Sequence, residues 1–310
     1  MPGSPASQAR LVRRLALATL VGNVAIVLTG GAVRLTDSGL GCPTWPRCTG
    51  ESWTATAEMG IHGLIENTNR GLGVVLGAVA LAGFLATLRL RPRRPALGWL
   101  AGAVLAGIAG QGVVGGVTVL TGLNPWVVGA HFLVSIAIIA AAHAFWRRAG
   151  EPDGPVRLAG PAPLRRLAWL IVAVAVALLA LGTVVTGSGP HAGDAEVARN
   201  GLDPERLSQA HAQLAFLLLG LAVASWFAVR AGAAGAATRW AATGLVAAIT
   251  GQGAVGLVQY ATGLPEPLVW LHLLGSCLVW LAALELLHST RTRLAVGPAA
   301  VPDRELLAAG

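Results

Sequence analysis

Eight apolar runs, each long enough to cross a bilayer, leave this chain few folds to choose from. They fall near residues 15–33, 60–88, 97–120, 127–146, 167–185, 207–229, 240–260 and 268–287. A helix needs about 20 mostly apolar residues to cross the hydrocarbon. In lipid the backbone must satisfy its own polar groups, so helices are the spans that such runs allow. Composition agrees: 55% of the 310 residues are hydrophobic and 12% are charged, against a charged fraction of about 25% in soluble domains. The expected fold class is an all-α integral membrane protein with eight transmembrane helices. The first run follows Arg10, Arg13 and Arg14, as the core of a signal peptide would. It is long, lacks a clear small-residue cleavage site and is followed by seven more runs, so it reads as the first span.

Charge then orients the chain. The formal net charge is +8, and no lysine is present. A pI of 11.2 invites a nucleic-acid reading. The arginines, however, cluster between the apolar runs and form no patch on a soluble fold, so no nucleic-acid partner is expected. Placing the N-terminus inside puts seventeen of the 22 basic residues on the inner side, from Arg10 to Arg304. Only Arg34, Arg47, Arg199 and Arg206 fall in outer segments, with Arg70 inside the second span. The positive-inside bias predicts a multi-pass protein of the plasma membrane with both termini cytoplasmic. The long loops, about 34–60 and 186–207, then face outward.

The chain also repeats itself. Residues 110–123 (GQGVVGGVTVLTGL) match residues 251–264 (GQGAVGLVQYATGL) at nine of fourteen positions, with an offset of 141. The same offset carries His131 onto His272 and Ser135 onto Ser276. A shorter echo links Thr36-Asp37-Ser38-Gly39 to Thr186-Gly187-Ser188-Gly189. Small residues are common in packed membrane helices, but a gap-free match that includes Gln, Thr and His exceeds that background. Four spans per copy keep both copies in one orientation, which predicts two parallel-repeat four-helix bundles. The halves are 1–150 and 151–310, joined by an Arg-, Pro- and Gly-rich linker near 147–166.

Four of the seven histidines share a position. His62, His131, His211 and His272 each lie just inside the outer end of an even-numbered span. Ionisable residues within spans are costly and usually face a bundle interior with a partner. Imidazole is a good axial ligand of haem iron, and histidines on facing helices of a bundle make a bis-imidazole site. His211 with His272 fits this in the second half. His131 with His62 or a neighbour fits it in the first. The plainer alternative for any one of them is an interhelical hydrogen bond. Zinc would want more converging ligands than either half offers.

These features together resemble the haem A synthase family over about residues 15–290. The resemblance rests on the eight spans in two halves and a histidine at the outer end of each even span. It rests also on the run Thr36-Asp37-Ser38-Gly39-Leu40-Gly41-Cys42-Pro43-Thr44-Trp45-Pro46-Arg47-Cys48, and on the Gln-Gly segments before His131 and His272. It departs in the second span, where the family usually has Glu followed three residues later by His-Arg. Here the run is Glu66-Asn67-Thr68-Asn69-Arg70, so Asn69 holds the histidine position. His62, Glu66 and Asn69 share one helical face by i, i+4, i+7 spacing. Either His62 replaces the missing ligand, or His131 alone serves the first half with Asn69 nearby.

The resemblance implies oxidation of a haem O methyl to a formyl group by two successive hydroxylations. It implies a resident haem b between His211 and His272, and haem O as substrate beside His131 and Glu66. Glu66 would relay protons or support a reactive species; its alternative is an ion pair with Arg70. Arg70, Arg34 or Arg47 would pair with haem propionates. Cys42 and Cys48 lie in an outward loop, where a disulfide, thiol exchange or two free thiols remain open. Cys277 reads as packing. The implied partners are a haem O synthase, an electron donor and the bilayer, with self-association into a homo-oligomer left open. Two other readings compete: a dihaem b-type electron carrier without oxygenation activity, and a transporter without haem.

Overall fold

The computed structural model describes residues 4–194, 196–232 and 234–295, so Arg304 lies outside the described residues. Eight long helices appear where the apolar runs lie: α1 Pro5–Leu35, α2 Gly60–Leu88, α3 Pro95–Leu120, α4 Pro125–Gly150, α5 Ala162–Ser188, α6 Pro204–Ala231, α7 Ala236–Ala261 and α8 Glu266–Ser289. All eight are long and apolar enough to cross a membrane. The chain is therefore a multi-pass membrane protein. Large apolar side chains such as Val74, Trp99, Phe216 and Trp240 stand out from the perimeter, each at least 73% exposed. Only lipid makes such a surface stable.

Helix starts follow local chemistry. Proline occupies the first or second helical position of α1, α3, α4, α5, α6 and α8, where its missing N–H costs nothing. Ser4, Asn124 and Asp203 cap α1, α4 and α6 by accepting from backbone N–H groups of the first turn. Helix ends explain the repeated Thr-Gly-Leu. In both copies the glycine adopts a left-handed conformation, Gly122 at φ +60° and Gly263 at φ +79°, followed by Leu123 and Leu264, also at positive φ. The leucine N–H then reaches back to a carbonyl five residues earlier: Leu123 to Thr118 at 2.8 Å and Leu264 to Gln259 at 2.7 Å. This closure satisfies the orphan carbonyls of α3 and α7 and reverses the chain into α4 and α8.

Helices outrun the apolar runs. Helix α1 begins at Pro5, so Arg10, Arg13 and Arg14 ride on the helix itself. Hydropathy marks the lipid-embedded stretch, whereas hydrogen bonding continues into the polar boundary. A second addition is an antiparallel pair of short strands, β1 (Val156–Leu158) and β2 (Arg291–Arg293), which ties the linker to the segment after α8.

Contacts run α1–α2–α3–α4 and back to α1, and likewise α5–α6–α7–α8 and back to α5. In each ring the even-numbered helices therefore stand diagonally across from one another. The two rings meet through α4 against α5 and α8, and α1 against α8. One hydrophobic cluster crosses that seam, with Ile139, Ile171, Leu218, Leu245 and Leu286 fully buried. Indoles of α8 reinforce it: Trp280 Nε1 donates to the Ile136 carbonyl at 3.0 Å, and Trp270 Nε1 to the Leu28 carbonyl at 2.9 Å. A smaller cluster around Val12, Leu97 and Phe145 packs the arginine-rich end of the first ring.

Candidate functional site

The candidate imidazoles lie at the end of the bundles that carries the two long loops. Their surroundings are set by glycines on neighbouring helices. An added Cβ on Gly115 of α3 would stand 3.2 Å from His131 Cε1. One on Gly182 of α5 would stand 3.1 Å from His211 Cε1, and one on Gly256 of α7 3.0 Å from His272 Cε1. Each ring thus lies flush against a helix that a larger residue would push away. Gly115 and Gly256 are the same position of the repeat, so the sequence already contained that signal; Gly182 had none.

Glutamines fix the helices that carry two of these histidines. Gln111 Nε2 donates to the His131 carbonyl at 2.6 Å and also to Ser135 Oγ. Gln252 Nε2 donates to the His272 carbonyl at 2.8 Å. The repeated Gln therefore grips the backbone of the next helix and leaves the ring alone. Nδ1 of His131, His211 and His272 is buried without a hydrogen-bond partner among the described residues. A buried polar atom without a partner costs about 1–3 kcal/mol, and such atoms in a native fold call for a ligand or a functional reason. His211 and His272 stand on the diagonal helices α6 and α8 of the second ring. These residues fit a group that takes nitrogen ligands. The described residues contain no cluster of three or more His, Cys, Asp or Glu able to hold a bare metal ion.

The first ring is built differently. His62 is exposed, and its Nδ1 pairs with the buried Ser38 Oγ at 3.0 Å. Asn69, diagonal to the helix of His131, accepts a hydrogen bond from Thr29 Oγ1 of α1 at 2.7 Å through Oδ1. Glu66 is buried, and both of its oxygens are engaged. Oε2 accepts the Cys42 N–H at 2.6 Å, and Oε1 accepts Arg70 Nη2 at 2.5 Å and Nε at 3.1 Å. Arg70 in turn donates to the carbonyls of Cys42 and Thr44, both at 3.0 Å, and of Arg47 at 3.4 Å. The pair thus ties α2 to the long loop between α1 and α2.

That loop is closed by a Cys42–Cys48 disulfide with both sulfurs buried. Its tight approach to α2 requires glycine: a Cβ on Gly41 would fall 2.3 Å from the His62 carbonyl oxygen. At its tip Trp45 reaches across to α3 and lies on Gly116, beside the glycine that meets His131. The loop therefore covers the mouth of the first ring near His131. Arg34 and Arg47 are spent elsewhere. Arg34 donates to the carbonyls of His191 and Thr186, the latter at 2.9 Å, and so bridges the two rings. Arg47 donates to the Gly50 carbonyl and lies over the Trp53 ring. Cys277 is a buried free cysteine.

Fold and site together define a class: a polytopic helical membrane protein whose paired helix rings present uncommitted imidazoles beneath long loops, one of them disulfide-closed. The chain belongs to the COX15-CtaA family of cytochrome oxidase assembly proteins, whose sequence model matches residues 13–284. Among relatives, a heme A synthase of a Methylobacterium species is 33% identical over 201 residues, covering 53% of this chain and 54% of the relative. A heme A synthase of a Bradyrhizobium species is 29% identical and covers 95% of both chains. A protoheme IX farnesyltransferase of Thermus thermophilus is 29% identical, covering 84% of this chain but 45% of its own length. The chain thus spans about half the length of several relatives it matches.

Proposed function

We propose that this protein is a haem A synthase, which converts a methyl substituent of haem O into a formyl group. The observation that carries the reading is the set of three imidazoles, each seated on a glycine with Nδ1 unpartnered, at the loop end of two bundles. Family membership and the names of the relatives support it.

In this reading His211 and His272 hold a resident haem b in the second half (residues 151–310). When bound, that group supplies one-electron transfer. Substrate haem O binds in the first half (residues 1–150) beside His131. Its methyl carbon passes from CH3 to CH2OH and then to a geminal diol, which loses water to leave CHO. Each hydroxylation takes one oxygen atom from dioxygen, the oxidant, while the electron donor supplies two electrons that, with two protons, reduce the other oxygen atom to water. Glu66 and Arg70 hold the disulfide loop over the reacting edge, and the loop limits water there. Glu66 also remains the site's carboxylate for proton movement. His62 is the reading's second imidazole for the first half. Asn69 stands in the position where the second half has His211.

The oxidation follows farnesylation of protohaem, so a haem O synthase is the natural supplier. The Thermus relative named for that farnesyl transfer is matched over less than half its length, which supports a close association of the two activities. The arginine bias supports a plasma-membrane setting with both termini cytoplasmic.

The test is haem extraction from a haem O-producing host with and without this protein. Haem A appears only with the protein. Intact, membrane-inserted protein in cells that accumulate haem O alone would overturn the reading.

A further inference from the structure

A second feature lies at the opposite, arginine-rich end, far from the imidazoles. There a cavity of about 180 Å³ opens where α1, the end of α4, the linker and β2 converge. Arg13, Arg147, Arg291 and Arg293 line it, with Trp146 and Glu151. Four guanidiniums in one cavity repel one another unless anions intervene.

Among the described residues the carboxylates are too few. Glu151 lies 3.8 Å from Arg291 and 3.4 Å from Arg293. Glu285 of α8 lies 3.4 Å from Arg147, and it also faces His143 at 3.2 Å. Two carboxylates thus serve three arginines, and Arg13 has no ion pair among the described residues. A donor is also left over: Nε of Arg147 is buried without a hydrogen-bond partner among the described residues. Arginine is the side chain best suited to phosphate, because its planar fork matches two oxygens. Basic pockets between spans on the inner side suit anionic headgroups, and Trp146 provides an indole at the depth of the membrane boundary.

We propose that this cavity binds a phosphate group, carried by an anionic phospholipid headgroup or as free phosphate. Bound there, the anion bridges α1 and α4 of the first bundle to β2 of the second. It stiffens the seam between the halves at the end remote from the haem-binding histidines. Nothing in the proposed oxidation requires this site, so the two proposals stand or fall separately.

The experiment uses the full chain, purified in detergent and checked for monodispersity by size-exclusion chromatography. Binding of phosphatidylglycerol, phosphatidylcholine and inorganic phosphate is measured by native mass spectrometry and by the shift in Tm. Arg13→Gln and Arg13→Glu remove a charge that has no ion pair among the described residues, so folding is preserved. Arg89→Glu, at the same end but outside the cavity, controls for general charge. Phosphatidylglycerol binds in preference to phosphatidylcholine, about fivefold more weakly in R13Q and about thirtyfold more weakly in R13E, with R89E unchanged. Inorganic phosphate that displaces the lipid, or binds with the same R13E loss when lipid does not, assigns the site to the phosphate group itself. Equal binding of both lipids with no R13E-sensitive phosphate binding overturns the proposal. So does an equal loss in R13E and R89E.

Discussion

The two four-helix halves use corresponding positions for different ends. In the second, His211 and His272 stand on diagonal helices, and the neighbouring helices offer bare glycine to both rings. In the first, the position matching His211 is Asn69, tied to Thr29, and a buried ion pair anchors a disulfide loop over the mouth. Both rings share the Gln grip, the Thr-Gly-Leu reversal and the glycine under the eighth-span histidine and its counterpart. They differ at the second-span position. A symmetric site suits a group that stays and shuttles electrons. A one-sided site with a lid suits a group that enters, reacts and leaves.

The sharpest way to break this comparison is to remove the paired imidazoles. His211→Ala or His272→Ala is expected to abolish the bis-imidazole haem spectrum of the second half, while His62→Ala leaves that spectrum intact. Optical and electron paramagnetic resonance spectra of each purified variant check this, and a persistent signal in both second-half variants dissolves the pairing.

Next in size is Glu66→Ala. Truncating one member of a buried ion pair costs about 3–5 kcal/mol, and here it also frees the Cys42 N–H and leaves Arg70 uncompensated. The loop should loosen, seen as faster hydrogen exchange at residues 41–48, with haem A lost and the haem b signal kept. Unimpaired haem A would reduce Glu66 to a loop anchor.

A smaller effect is expected from Cys42→Ser with Cys48→Ser. A short disulfide loop contributes about 2 kcal/mol, so the covering loop should exchange faster and haem A yield fall without change in the second half. Equal protection in the double variant would show that Glu66 and Arg70 hold the loop unaided.

The smallest change sharpens the contrast. Asn69→His removes one hydrogen bond, worth about 1 kcal/mol, and restores the histidine of the matched position. Combined with His62→Ala, it should give haem-loaded protein a first-half bis-imidazole signal, with residue 69 replacing His62. Its absence would mean that Thr29 and the loop, and not residue 69, keep the halves unlike.

Much of this was legible in the sequence. Apolar run length gave all eight spans, because lipid leaves a backbone no other option. The 141-residue offset marked His131 with His272, and Gln111 with Gln252, as equivalent pairs. The i, i+4, i+7 spacing put His62, Glu66 and Asn69 on one face. What they touch was not legible: Ser38, Cys42 and Thr29 are distant in sequence and carry no periodic pattern. Both readings of Glu66 were open, and the structure supplies the ion pair with Arg70. The strand pair between linker and tail also escaped notice, since three-residue strands leave no hydropathy trace. Cavity-lining arginines looked like topology markers, because charge counts along a chain do not reveal which charges converge.

The two indole bonds of α8 bear on the order in which this molecule is made. Trp270 and Trp280 reach backbone carbonyls of α1 and α4, helices that leave the ribosome long before α8 does. Until the eighth segment enters the bilayer, those carbonyls and the apolar seam around Ile139 lack their final neighbours. The earliest part of the chain therefore waits on a much later one, and any stall in translation before α8 would expose the seam to membrane proteases.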